Sequence, residues 1–128
     1  MAACPCGLPA QYEDCCGRYH SGALHLLAPT PEALMRSRYS AYALGLRDYV
    51  LDTWHGSTRP EHMDRFESGV KWLGLAVKRA WTASADEGFV EFIARSKPPG
   101  GGPAGRLQEL SRFVRVDGRW QYVDAVAD

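Results

Sequence analysis

Four cysteines near the start of the chain are the residues best suited to chemistry. They are the only cysteines among 128 residues and stand in two short motifs, Cys4-Pro5-Cys6-Gly7 and Cys15-Cys16-Gly17. Structural zinc sites use four thiolate or imidazole ligands arranged in a tetrahedron. A disulfide between adjacent cysteines would strain the peptide, whereas neighbours can ligate one metal through different rotamers. The spacing therefore predicts a structural Zn²⁺ site formed by Cys4, Cys6, Cys15 and Cys16.

The same cysteines allow three other interpretations. His20 follows the second motif closely enough to replace Cys16 as the fourth ligand. The thiols could also form a redox pair or stay as four reduced side chains, although small segments with so few apolar residues rarely fold without a metal or disulfides. A metal would supply the folding free energy of this segment. Four thiolates leave no coordination position for water, so a structural rather than a catalytic metal is expected.

The composition favours a globular protein of the cytoplasm. Fifteen basic and fifteen acidic residues cancel, which gives no sign of nucleic acid binding or of a polybasic membrane anchor. The first residues lack the basic and apolar regions of a signal peptide, and no apolar run is long enough to cross a bilayer. We therefore expect a cytoplasmic protein with neither nucleic acid nor membrane as a partner. Cytosolic thiols stay reduced, which favours a metal over disulfides.

Helices are expected after a linker at residues 23–30. Thr30 can cap the first helix, and Pro31 suits its first position. An apolar stripe then recurs at helical spacing, formed by Met35, Tyr39, Tyr42 and Leu46. Gly45 weakens the helix near its end, and Asp48 is predicted to cap a second helix over residues 49–54. A third short helix is predicted at about residues 60–66.

The second half of the chain is typical of an antiparallel sheet. A first strand is indicated by the alternation of Leu73, Leu75 and Val77 with other residues, and further strands are predicted over residues 89–96, 106–116 and 119–126. Helices followed by such a meander predict an α+β fold, with helices packed on a curved antiparallel sheet of four or more strands.

The turn between the last two strands fixes which side chains share a face. Asp117-Gly118 fits a two-residue type I′ turn, which sets Phe113 opposite Tyr122. Strict alternation then places Asp124 on the same face as these two aromatic residues. Both faces carry apolar side chains, so the sheet is expected to be strongly curved or covered on both sides.

A second candidate site is made of polar and aromatic residues near the helical stripe, namely Arg36, Arg38, Tyr39, Trp54, His55 and Asp124. Arg38 lies on the shoulder of the stripe, where it is expected to be half-buried and paired with Asp52 or Asp124. One interpretation is a structural ion pair with aromatic packing. The other is that Arg38 binds an anionic ligand while His55 or Asp124 moves a proton.

The cysteine motifs resemble the SEC-C zinc knuckle, first described at the C-terminus of the bacterial preprotein translocase ATPase. The chain is also similar to the YchJ-like family of uncharacterised bacterial proteins through Leu34-Met35-Arg36-Ser37-Arg38-Tyr39-Ser40-Ala41-Tyr42, Thr53-Trp54-His55, Trp72-Leu73-Gly74-Leu75 and Ser111-Arg112-Phe113. The resemblance implies a zinc knuckle at residues 1–22, a linker at 23–30, and a cone-shaped nuclear-transport-factor-2-like (cystatin-like) domain at 31–128.

The resemblance implies a function only in outline. A knuckle implies a protein partner, but Glu13 and Asp14 stand where the translocase knuckle is rich in lysine, so its acidic export chaperone does not carry over. Domains of this cone type frequently pair through their open sheet faces, which would give a homodimer.

Two hypotheses follow for the function. The first is a zinc-binding module for protein interaction or ligand binding. The second is a small cone-fold enzyme of isomerase, dehydratase or hydrolase type. An enzyme needs an open pocket of roughly 300 Å³ or more with converging polar groups, whereas an interaction module needs an exposed patch near the knuckle.

Overall fold

The computed structural model describes residues 3–61 and 70–126. After a 3-10 turn at Tyr12–Asp14, three α-helices precede four β-strands. The helices are α1 (Gly17–His20), α2 (Pro31–Leu44) and α3 (Arg47–Asp52), and the strands are β1 (Lys71–Ser84), β2 (Glu87–Lys97), β3 (Gly105–Val116) and β4 (Arg119–Ala125). The strands form one antiparallel sheet in the order β1-β2-β3-β4. The predicted α+β fold is confirmed.

The central helix α2 begins and ends where its sequence predicts. The Thr30 hydroxyl accepts the Ala33 N–H at 3.0 Å, and Pro31 occupies the first turn. Gly45 takes a left-handed conformation with φ of 74°, which favours glycine and ends the helix. The Leu46 N–H then reaches back to the Ala41 carbonyl at 2.8 Å and satisfies an acceptor of the last turn.

The second predicted helix is present but displaced. It covers Arg47–Asp52, so it begins and ends two residues earlier than predicted, and Leu46 rather than Asp48 stands at the cap without a side-chain hydrogen bond. The predicted cap at Asp48 was therefore wrong, because the chain turns directly from the end of α2 into α3. The third predicted helix falls largely on residues outside the described part of the chain.

The β3–β4 hairpin confirms the predicted turn and part of the predicted register. Asp117 and Gly118 both have positive φ, at 52° and 79°, as a type I′ turn requires. Phe113 pairs with Tyr122 as expected. A bulge between Arg112 and Phe113 then shifts the pairing, so that Arg112 faces Asp124. The first hairpin is longer than predicted, since β1 continues to Ser84 and turns at residues 85–86.

One hydrophobic cluster joins the N-terminal segment to the sheet. It contains all four cysteines together with residues of α2, α3 and the strands, among them Leu34, Val50, Val90 and Phe113. The cysteine segment is therefore packed into the same core as the rest of the chain. No helix within residues 3–61 and 70–126 combines the length and the apolar character that crossing a membrane requires.

Candidate metal centre and ligand cavity

The four cysteine thiols converge on one point. Their sulfur atoms all lie within 4.8 Å of one another, and no cysteine is more than 5% exposed. The Sγ atoms of Cys6 and Cys15 are 3.7 Å apart. A tetrahedral site with Zn–S bonds of about 2.3 Å has sulfurs about 3.8 Å apart. The cluster is thus compatible with a metal site built from sulfur alone.

Short backbone contacts bring the two motifs together. The Cys4 N–H donates to the Ala10 carbonyl at 2.9 Å, closing the loop between the motifs. Gly7 has φ of 92°, a conformation that side chains with a Cβ rarely adopt. Gly17 sits against Tyr12, where a Cβ would lie 2.8 Å from the Tyr12 carbonyl oxygen. Glycine is therefore needed at position 7 for its backbone conformation and at position 17 because a Cβ would clash.

The thiols also control one another's protonation. A hydrogen bond from Cys16, together with smaller contributions from the Leu8 backbone and from Cys4 and Cys15, lowers the pKa of Cys6 to about 5. Burial, reinforced by neighbouring thiols, raises the pKa of Cys15 to about 11. The bond to Cys6 and burial also raise the pKa of Cys16 above its ordinary value. Several thiols therefore converge on one thiolate, which is the environment that a bound cation would stabilise.

Helix α2 forms the floor beneath the thiols. The Cys4 Sγ lies 3.6 Å from the Ser40 Oγ, and Ser40 is fully buried. The Arg36 guanidinium donates from Nη1 to the Cys6 carbonyl at 3.0 Å and also pairs with Glu32 at 2.9 Å. Arg36, one of the predicted site residues, thus fixes the cysteine loop to the helix.

His20 is engaged elsewhere and is not among the converging ligands. Its Nε2 donates to the Ser37 carbonyl at 2.8 Å, and its Nδ1 accepts from the Tyr12 hydroxyl at 2.5 Å. This pattern is that of a neutral imidazole, and burial lowers the pKa of His20 in agreement with it. Its ring also meets the edge of Tyr49 at 4.6 Å between centroids. His20 therefore links α1 to α2 rather than replacing Cys16.

A cavity of about 310 Å³ lies on the other side of α2. Six aromatic residues dominate its wall, namely Tyr39, Tyr42, Trp54, Trp72, Phe92 and Tyr122, and the remaining lining residues are Met35, Arg38, Ala94, Leu107, Glu109 and Ser111. The α2 residues that line it lie opposite those that touch the cysteines, because Arg36 and Ser40 fall on another face of the helical wheel. One helix separates the two sites.

Arg38 is the buried cation of this cavity. It is only 5% exposed, and its Nη1 donates to the Val50 carbonyl and to the Thr53 hydroxyl, each at 2.8 Å. Its guanidinium carbon lies 4.7 Å from the ring centroid of Tyr122 and 5.2 Å from that of Trp54. Burial lowers the pKa of Arg38.

The acidic residue of the cavity was not predicted from the sequence. Glu109 Oε2 accepts hydrogen bonds from the hydroxyls of Ser111 and of Tyr122, the latter at 3.2 Å. Burial and the nearby Glu109 carboxylate raise the pKa of Tyr122 above its ordinary value. The sequence did contain one signal for it. Glu109 and Ser111 are two residues apart in a predicted strand, so their side chains share a face.

The two predicted proton carriers lie away from the cavity wall. Asp124 is half-exposed and pairs with Arg112 at 3.5 Å, because an extra residue in β4, Val123, turns it to the opposite face from Phe113. His55 accepts at Nδ1 from the Ser57 backbone N–H at 3.1 Å and also contacts the Ser57 hydroxyl. The expected pairing of Arg38 with Asp52 or Asp124 was wrong, since neither carboxylate forms an ion pair with it in the described residues.

A larger depression of about 670 Å³ opens on the surface between α1 and α3. It is lined by His20, His25, Gly45, Leu46, Arg47, Asp48, Tyr49 and Asp52. It is wide and open, and its one half-buried histidine already uses both ring nitrogens in hydrogen bonds. The smaller cavity beside Arg38 is therefore the better-formed binding site.

Comparison with known proteins agrees with this arrangement. Residues 30–125 match the family described as YchJ, middle NTF2-like domain. The UPF0225 protein of Bordetella parapertussis is 54% identical over 96% of this chain and 91% of its own length, and that of Chromobacterium violaceum is 57% identical over 98% and 93%.

Two solved structures share the fold along nearly the whole chain. The solution structure of a SEC-C motif containing protein from Rhodopseudomonas palustris superposes with a TM-score of 0.82 at 38% identity, covering 98% of both chains. The crystal structure of a SEC-C motif containing protein from Psychrobacter arcticus gives 0.75 at 30% identity, covering 98% of this chain and 83% of the other.

Proposed function

This chain belongs to the YchJ-like UPF0225 family of SEC-C motif proteins with an NTF2-like domain, and we propose that it is a zinc-stabilised ligand-binding protein. In this proposal Cys4, Cys6, Cys15 and Cys16 hold one structural Zn²⁺, which fixes the N-terminal segment on α2. The domain on the other side of α2 binds a small molecule in its aromatic cavity. The observation that carries the proposal is the convergence of four buried thiols on α2.

The donor set supports zinc in a structural role. Four thiolates in a tetrahedron match the ligands of structural zinc sites and leave no open position for a water molecule or a substrate. A bound Zn²⁺ would stabilise the thiolates and replace the hydrogen bonds that the thiols now share, as between Cys6 and Cys15. The metal would therefore act by holding the fold together.

The cavity supports ligand binding rather than a defined reaction. Its volume of about 310 Å³ lies at the lower end of the range of small-molecule sites, which runs from about 300 to 1,000 Å³. Its polar groups converge, with Arg38 at one wall and the Glu109–Tyr122 pair at another. The residues expected to transfer protons, His55 and Asp124, do not line it. An enzyme of isomerase, dehydratase or hydrolase type would have to use Glu109 or Tyr122 instead.

A protein partner for the zinc knuckle is the second candidate function. Three leucines in the first 27 residues are exposed, since Leu8, Leu24 and Leu27 show 39%, 44% and 42% of their surface. Exposed apolar side chains of this size favour a contact with another protein. Affinity capture with the wild type and with the Leu24→Ser/Leu27→Ser variant tests this candidate, because a partner of this surface would be lost only from the variant.

Metal analysis and ligand titration test the main proposal separately. Protein purified under reducing conditions is expected to contain about one zinc per chain, and the Cys15→Ser/Cys16→Ser variant is expected to contain none. Ser21→Ala, an exposed substitution in the same segment, serves as the control. Metal-free wild type that folds normally would contradict the structural role of zinc. A wild-type protein that binds zinc but no small aromatic molecule would contradict the ligand-binding part of the proposal and leave the zinc part standing.

A further inference from the structure

Arg38 is a buried cation that forms no ion pair in the described part of the chain, although the Glu109 carboxylate in the same cavity lining acts on its charge. Every ion pair found there involves other residues, and the hydrogen bonds of Arg38 run from Nη1 to two neutral oxygens. A charge that is removed from water and left unpaired is costly, so buried charges are normally paired. The guanidinium nevertheless belongs to the wall of the cavity. An anion in direct contact with Arg38 is therefore best supplied from inside the cavity.

A hydrogen-bond donor beside Arg38 in the same wall is unsatisfied. The indole Nε1 of Trp54 is buried and has no hydrogen-bond partner among the described residues. The Trp54 ring lies 5.2 Å from the Arg38 guanidinium carbon, so the two groups are close neighbours. Buried polar atoms without a partner are rare in folded proteins and frequently mark the position of a missing ligand or water. An indole N–H without a partner next to a buried guanidinium indicates an acceptor with more than one oxygen.

The other residues of the cavity wall favour a particular net charge and shape of the ligand. Glu109 reaches the cavity with a negative charge, and Arg38 is the one lysine or arginine in the lining, so a ligand with two negative charges would lack a second cation. A guanidinium matches the planar geometry of a carboxylate. Aromatic walls favour a planar ring, which they hold by stacked and edge contacts. Tyr39 and Trp72 already meet edge to face at 5.5 Å in this wall.

We propose that the cavity binds a small aromatic monocarboxylate, with its carboxylate on Arg38 and its ring among the aromatic side chains. This inference rests on the proposed ligand-binding function and specifies the class of ligand. Leu107, which is 54% exposed, marks the side of the cavity wall that faces solvent. Glu109 lies in the same wall, and the hydrogen bonds that it accepts from Ser111 and Tyr122 hold its carboxylate at a fixed position.

Paired acids and amides provide the test. Zinc-loaded full-length protein is titrated with 2-naphthoate and with 2-naphthamide, and binding is followed by calorimetry and by NMR shifts of the cavity residues. The acid and the amide share their shape and differ in charge. The acid is expected to bind at least about tenfold more tightly, because hydrogen bonds to a charged group contribute about 1.5–3 kcal/mol. Benzoate and benzamide repeat the comparison with a smaller ring.

Three variants separate the charge of Arg38 from the shape of the cavity. Arg38→Gln is expected to remove the preference for the acid over the amide. Glu109→Gln is expected to tighten the acid about threefold and to leave the amide unchanged, because it removes a neighbouring negative charge. Ala94→Leu, which adds volume to the buried wall, is expected to weaken both ligands. If Arg38→Gln fails to fold, Glu109→Gln still decides the question, because it should tighten the acid and leave the amide unchanged.

Each outcome bears on one part of the proposal. Equal affinity for acid and amide, with Ala94→Leu weakening both, would overturn the monocarboxylate and leave ligand binding in place. Binding of neither compound by zinc-loaded, folded protein would overturn both the ligand class and ligand binding. Tighter binding of the acid that is unaffected by Arg38→Gln and Glu109→Gln would place the carboxylate elsewhere and also overturn the inference.

Discussion

The two sites on either side of α2 are built on opposite principles. The thiol cluster consists of four cysteine side chains that could all ligate one cation, and they lie within thirteen residues of sequence. The cavity gathers groups from α2, from Trp54 just beyond α3, and from β1 to β4, and its buried cation Arg38 faces mostly apolar walls. The first site is closed and suits a permanent ion, whereas the second is open and suits an exchangeable molecule. The two sites therefore differ in ligand and in accessibility although both are built on α2.

Removal of the metal should have the largest effect. Because the cysteines belong to the same hydrophobic cluster as the cone, chelation or Cys6→Ser is expected to destabilise the whole chain rather than the N-terminal segment alone. The metal-free protein should melt at least about 10 °C lower. Calorimetry with and without a chelator measures this, and Ser21→Ala is the control. Loss of only the N-terminal structure, with an unchanged main transition, would mean that the two regions fold independently.

Truncation of Arg38 should have the next largest effect. Arg38→Ala removes the two hydrogen bonds to the Val50 carbonyl and the Thr53 hydroxyl, and we expect it to lower the free energy of unfolding by about 2–3 kcal/mol. Arg79→Ala, an exposed arginine on β1, is the matched control and should change it by less than about 0.5 kcal/mol. An unchanged melting temperature for Arg38→Ala would assign Arg38 to the ligand alone.

Acid should loosen the contact between α1 and α2 through His20. Burial lowers the pKa of His20 in the folded protein, so the unfolded chain binds the proton more readily. Stability is therefore complete above the ordinary histidine pKa of about 6.5 and falls as the pH drops below it. The groups that face the ring are Tyr12, Tyr49 and the Ser37 carbonyl, with His25 nearby. Denaturant unfolding between pH 7.5 and 5.5 measures the loss.

His20→Gln isolates this pH effect from proton binding by the cysteines. The amide can still donate to the Ser37 carbonyl but does not titrate. The variant should therefore lose less stability than the wild type over the same pH range. An identical loss in both proteins would assign the acid sensitivity to the thiol cluster instead.

The smallest effects are expected at the two residues that the structure places outside the cavity. Asp124→Asn breaks an ion pair whose partners are 51% and 37% exposed, and such pairs contribute little, here under about 0.5 kcal/mol. His55→Gln removes a local contact with Ser57. Both variants should bind 2-naphthoate within about twofold of the wild type. A large loss of binding in either one would extend the site beyond the described wall.

The sequence predicted the thiol cluster well because its information is local. Cysteine chemistry, the short spacing and the glycines at positions 7 and 17 all act within one loop, and the structure brings the four sulfurs together. The boundaries of α2 were equally accessible, since Thr30 and Gly45 act on their own neighbours. The cap assigned to Asp48 failed because the contact of Leu46 with the end of α2 decides where α3 begins.

The cavity could be predicted only in part because it depends on distant pairing. Arg38 and Trp54 were among the candidates, but nothing near Glu109 in the sequence shows that it meets Tyr122 thirteen residues later. The bulge at Arg112 is the clearest example. Regular alternation placed Asp124 on the same face as Phe113, and one extra residue in β4, Val123, turned it to the other face. A bulge of this kind arises from the packing of the whole sheet.

The position of the thiol cluster on α2 also has a consequence for the order of synthesis. Its sulfurs and their contacts with Arg36 and Ser40 all lie before residue 45, whereas the sheet requires residues 71–125. The thiols and the α2 residues that they contact therefore leave the ribosome well before the first strand, and chains fold from the N-terminal side as they emerge. Zinc bound at that stage would fix the cysteine segment to α2 before β1 is available to pack on the aromatic side chains of the helix.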